Sequence, residues 1–254
     1  MKKPSRSLTR KNRLDGAARG RTAVVTLLFG IGVAVATAGH AAADLSGAWV
    51  ITSYSPEIKT SEGKSPPLLP EAASLYSERK ALRAKGDDSF DIVATHCGPP
   101  GMPRVMMLPY AFEVVQSPSK LVFLFEWNRL YRRVDVNGPS MNADDLQFTG
   151  RGVAHWDGDT VVIETTKIDE TLMDAAGMPH SADLKVTERL RLRGAGTLED
   201  HMHFEDPKTF RAPWDTLVTY RRLPKGTEVR EDVCLDRIKT TRAIDEKKYL
   251  SYPK

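Results

Sequence analysis

Three charged residues stand where strand alternation points them at an apolar core. Successive side chains of a strand face opposite sides. Over residues 185–193, Val186, Glu188, Leu190 and Leu192 share one face, and Lys185, Thr187, Arg189, Arg191 and Arg193 share the other. Arg132 shares a face with Val134 and Val136, and Glu126 follows Val122 and Leu124 in an apolar run, residues 121–127. A lone charge in such a core is costly. Glu126, Arg132 and Glu188 are therefore expected to meet as a buried cluster, since charged residues are rarely buried unless paired. The cluster would fix strand register, form the polar floor of a ligand cavity, or hold a carboxylate whose pKa burial raises for acid–base work.

The remaining chemistry is sparser. His180, in the loop GMPHS, is a rim residue that would titrate near neutral pH. His155 lies in a run that leaves its face open. His201 and His203 alternate with Met202 and share a face with Glu199, a spacing that could share a metal. Leu198, Met202 and Phe204 make the opposite face the apolar one, so both imidazoles are expected in solvent and no metal is expected. Asp157 and Asp159 flank Gly158 and read as turn formers. There is no G-x-S-x-G elbow, P-loop, H-E-x-x-H or dinucleotide fingerprint, so any reaction is expected to be cofactor-free.

The elements that must position these residues are mostly strands. A first strand covers residues 45–54. A helix follows over residues 70–85, opened by Pro70 and Glu71 and closed by Gly86. Nine further strand-like runs follow between residues 112 and 233, the last covering 227–233. SPSK, Asn137-Gly138 and Asp157-Gly158-Asp159 separate some of them at hairpin spacing, so neighbouring strands are expected to be antiparallel. Ten short runs in series indicate an up-and-down meander closed into a barrel.

The first 43 residues read as an address. Eight basic residues and one acid precede the apolar run Thr22–Ala38 and the small residues Ala41-Ala42-Ala43. Basic, apolar and small-residue regions in that order form a secretory signal. The apolar run is short for a membrane span, and no basic stop-transfer cluster follows, so no permanent anchor is expected. The precursor carries net charge +4, but removing residues 1–43 leaves −3. The basic balance belongs to the signal and does not argue for a nucleic-acid partner. Residues 44–254 are expected to form one domain in the periplasm or outside the cell. Cys97 and Cys234, an even pair in an oxidising compartment, read as a disulfide, the alternative being two separate thiols. No obvious helix N-terminus lowers the pKa of Cys97, which argues against a nucleophile.

Gly47-Ala48-Trp49 on the first strand is similar to the G-x-W element of lipocalin-like barrels. The chain also resembles a family of exported bacterial proteins of mostly unassigned function through LSGAWV, LPEAASLYSERKA, CGPPGMPRVMMLPYAFEVVQSP, LFEWNRLYRRVDVNG, WDGDTVVIETT, DAAGMPHSADLKVTERLR and DPKTFRAPW. The resemblance implies an all-β, lipocalin-like antiparallel up-and-down barrel of about eight to ten strands with one flanking helix. It also implies that Arg104, Glu126, Arg132, His180 and Glu188 lie in recurring motifs. Lys167-Ile168 stands where relatives carry Gly-Phe, and His155 replaces a smaller residue.

Three functions compete. In the first, the barrel binds a small apolar or aromatic molecule in a cavity lined by Phe123, Phe125, Trp127, Trp214 and Tyr220, with Arg104, Tyr110, Arg132 and His155 as further contacts. In the second, it is a cofactor-free lyase, hydratase or isomerase with Glu126 or Glu188 as base and His180 as acid. Arg132 and Arg104 would then hold an anionic group or developing oxyanion. In the third, the core is solid and the surface binds an envelope partner. An exposed edge strand would favour a homodimer.

Overall fold

A computed structural model describes residues 43–138 and 145–234; nearly all of the expected signal segment lies outside them. Nine strands form a closed barrel in chain order. They are β1 (Gly47–Ile51), β2 (Phe112–Gln116), β3 (Lys120–Phe125), β4 (Tyr131–Val136), β5 (Arg151–Asp157), β6 (Thr160–Thr166), β7 (Lys185–Arg193), β8 (Thr197–Glu205) and β9 (Trp214–Arg222). Two helices, α1 (Pro70–Ala84) and α2 (Ile92–His96), lie in the β1–β2 connection. Residues 227–233, expected as a tenth strand, form none. The ring is already complete, because β1 pairs with β9.

An odd number of strands cannot alternate direction all the way round a ring. Direction must reverse an even number of times before the first strand is met again, so nine contacts require at least one parallel pair. Here it is β4 with β5, where Val134 lies opposite Gly152; the other pairs are antiparallel. A parallel pair needs a crossover, and residues 137–150 provide it. Short hairpins join β2–β3, β5–β6 and β7–β8 at one end. The long connections gather at the other, here called the loop end.

The alternation read from β7 is realised: Val186, Glu188 and Leu190 are buried and Arg189 is exposed. Trp49, Phe112, Phe123, Met202, Phe204 and Tyr220 fill the interior. Met102 and Met106, from the segment before β2, join the same core. Tyr220 Oη donates to the Met106 carbonyl at 3.0 Å. The Met102 N–H donates to the Phe148 carbonyl of the crossover at 2.8 Å. This segment thus plugs the loop end. Of the aromatic residues expected around a ligand, Tyr220 packs on Phe112 at 5.0 Å and Trp214 on Phe204 at 4.4 Å.

The hairpin end is closed by Trp49 and Arg222. The Arg222 guanidinium lies 4.2 Å from the Trp49 ring centre, and Trp49 Nε1 donates to the Leu45 carbonyl at 3.0 Å. Arg222 reaches the Ser46 carbonyl through Nη1 at 2.5 Å and the Ala195 carbonyl through Nε at 3.0 Å. Gly47 has φ +121°, and a Cβ there would stand 2.9 Å from Arg222 Nη1. The spacing of Gly47 and Trp49 is therefore explained by one guanidinium that covers both. Trp49→Ala is expected to lower unfolding stability by about 3–5 kcal/mol, and Gly47→Ala by a smaller amount through its positive φ. Urea unfolding monitored by circular dichroism checks both.

Candidate functional site

The barrel interior holds a charged cluster, built from strands β4, β6, β7 and β8. Arg132 Nη1 donates to Glu188 Oε1 at 2.8 Å, and Nη2 contacts Glu188 Oε2 and donates to Thr165 Oγ1 at 2.8 Å. The guanidinium also sits 5.3 Å from the Phe123 ring centre. Both partners of this pair are at most 1% exposed. The third member is Asp200, fully buried, with no donor within reach of either carboxylate oxygen among the described residues. Burial, then the nearby Glu188 charge, push its carboxyl well above the ordinary range, against the pull of Arg132. A protonated Asp200 leaves the interior with one cation and one anion. The same burial and acidic neighbours raise the Tyr220 phenol.

Asp200 was within reach of the alternation rule. It shares its strand face with Leu198, Met202 and Phe204, the signature that singled out Glu188. Glu126 does not join the cluster. On β3 the buried positions are Leu121, Phe123 and Phe125, while Leu124 is 39% exposed, so the face carrying Val122 and Leu124 looks outward. β3 ends at Phe125 and the chain turns through the short 3-10 segment Trp127–Arg129. Glu126 accepts from the Ala111 N–H at 3.2 Å and pairs with Arg230 Nε at 3.1 Å.

The other expected site residues are dispersed. Arg104 makes a two-point pair with Asp91 at 2.9 and 2.7 Å, and Asp91 also accepts from Val93 N–H at the start of α2. Tyr110 and Trp127 meet edge-on at 5.0 Å. Both pack beside Cys97 and Cys234, which form a disulfide with S–S 2.07 Å. Trp214 packs on Phe204 and Phe210. His155 is exposed on β5. His203 pairs with Asp215 at 2.8 Å on the surface, and His201 is exposed. Among the described residues no three metal-ligating side chains converge.

His180 is held by both ring nitrogens. The Thr171 N–H can only donate, so Nε2 accepts from it at 3.2 Å. The proton is then on Nδ1, which donates to the Ser181 carbonyl at 2.9 Å. Burial pushes the imidazole below the usual histidine range, against the Ser181 carbonyl and the Asp206 charge. A neutral ring with both nitrogens engaged positions its loop.

An open groove lies elsewhere, at the loop end between residues 51–63 and β9. A groove of about 440 Å³ is lined by the apolar Ile51, Ile58, Met107 and Val218 and by a series of hydroxyls including Ser53, Ser55, Thr216 and Thr219. Its outer wall is fixed at several points. Thr52 N–H donates to the Thr219 carbonyl and Ser61 N–H to the Asp215 carbonyl, each at 2.8 Å. Thr216 Oγ1 donates to the Lys59 carbonyl at 2.7 Å. Asp174 anchors Ile58 by accepting from its N–H at 3.1 Å, and it also accepts from Tyr76 Oη of α1 at 2.8 Å. Between the ties at 215 and 219, the backbone of Leu217 faces the same side and has no partner among the described residues. None of the site residues expected from the sequence lines this groove. A loop folded against a strand made it, and strand periodicity carries no signal for that.

Removing one partner of a buried pair strands the other charge. Glu188→Gln is accordingly expected to lower stability by about 3–5 kcal/mol, seen as an earlier urea midpoint. Asp200 behaves oppositely. With its native pKa raised, its contribution to stability is full below the unfolded value of about 3.9 and is lost as pH rises toward the native value. Asp200→Asn should flatten that decline, so its urea midpoint gains on wild type from pH 4 to pH 8. An unchanged pH profile would mean that Asp200 is not the proton-holding group. Searches for known relatives returned no matching family model and no matching curated protein.

Proposed function

We propose that this is an exported binding protein that receives a small molecule in the loop-end groove and not inside the barrel. The observation that carries the reading is the 440 Å³ volume of that groove, within the size range of small-molecule sites. Its apolar floor and hydroxyl rim suit a ligand with an apolar body and a few hydrogen-bonding groups. Leu217 would add one backbone donor and one acceptor. The disulfide between Cys97 and Cys234 supports an oxidising compartment.

Catalysis has less support. Arg132 occupies Glu188, Arg230 and the Ala111 amide occupy Glu126, and His180 has no free nitrogen. A general base must reach a substrate proton, and these groups are engaged with the protein itself. The burial of Phe123, Phe125 and Tyr220 among neighbouring core side chains favours the groove over a site between these rings.

Native mass spectrometry of protein recovered from the periplasm tests the reading. A small molecule that co-purifies and leaves on unfolding is expected, with an intact mass that places the mature start at Asp44. Thr219→Trp, at a half-buried groove position, should abolish co-purification while keeping the fold. Retention of the molecule by this variant would move the site away from the groove.

A further inference from the structure

A second opening lies on the outer face of the barrel, where the parallel pair meets the crossover. Arg133 of β4 and Arg151 of β5 immediately precede the facing residues Val134 and Gly152. They therefore stand side by side. Their neighbours Arg132, Val134 and Gly152 are buried, so both guanidiniums point outward. A depression of about 200 Å³ lies there, lined by both arginines with Tyr131, Gln147 and Thr149 among its other residues.

Two like charges directly opposite each other destabilise a sheet, and among the described residues no carboxylate forms a salt bridge with either of them. Asp135, in the same lining, is engaged by Lys120. Glu164, on the neighbouring strand β6, pairs with Lys185 at 3.5 Å. The residue of β6 opposite Arg151 is Thr166, which is neutral. Neither Arg133 nor Arg151 makes a salt bridge among the described residues, and Arg151 Nε is buried with no hydrogen-bond partner. Tyr131 is 60% exposed beside them.

Guanidinium groups recognise planar and tetrahedral oxyanions through paired N–H donors. We propose that this depression binds a small oxyanion, carboxylate or phosphate, bridged by Arg133 and Arg151. Gln147 and Thr149 supply further donors, and the exposed Tyr131 ring accepts the body of an organic anion. The volume limits that body to about one ring. The site is independent of the loop-end groove and shares no lining residue with it.

The test is calorimetric titration and ¹⁵N arginine side-chain NMR of the purified protein at low salt, with inorganic phosphate and benzoate as separate probes. Saturable binding of at least one probe, with shifts of the Arg151 Nε signal, is expected. Arg133→Gln and Arg151→Gln should each weaken it by about tenfold or more, the size of one lost charge-assisted bond. Both positions face outward, so these variants should keep the wild-type circular dichroism spectrum. Benzoate binding that Tyr131→Ala weakens assigns the site to an organic carboxylate, and phosphate binding alone assigns it to a phosphate group. Failure of both probes to saturate, or equal binding by the doubly substituted protein, would overturn the proposal.

Discussion

Closing nine strands into one ring sets the constraint from which the rest of the architecture follows. The ring must contain a parallel pair, and β4 with β5 supplies it. A parallel pair cannot be joined by a hairpin, so the connection must return the chain to the end where β4 began. That path brings Phe148 to the Met102 amide and Gln147 and Thr149 to the face of Arg133 and Arg151. A ring with an even strand count could have been built from hairpins alone. It would have lacked both the outer depression and this tie to the plug.

The interior depends on a balance of charge. Arg132 and Glu188 cancel each other at full burial, and burial raises the Asp200 carboxyl beside them, which favours its neutral form. Thr165 and the Phe123 ring take up further faces of the guanidinium. Such a pair adds little net stability over apolar residues of the same size. Its effect is to make wrong registers expensive, because a slip of one residue would turn Arg132 or Glu188 to the outside and leave the partner unmatched.

Much of this was legible in the sequence. Alternation of period two exposed the inward Arg132 and Glu188, and the even cysteine pair pointed to the disulfide. Asp200 obeys the same rule as Glu188, sharing its face with Leu198, Met202 and Phe204. Glu126 has no such signal, because both faces of β3 are apolar and periodicity does not distinguish the inner one. The run at 227–233 has strand-like residues but no unpaired neighbour left in a closed ring. The parallel pair, the methionine plug and the loop-end groove depend on how distant segments meet. No local pattern records such meetings.

The disulfide joins the beginning of the plug segment to the chain just beyond the last strand. Its ring therefore encloses eight of the nine strands, all but β1. β1 enters from outside that ring, yet it is the strand that seals the barrel. Oxidation thus makes the covalent outline of the molecule nearly coincide with its architecture. For this chain, the redox state of its compartment decides whether the frame that β1 completes is covalently tethered or open.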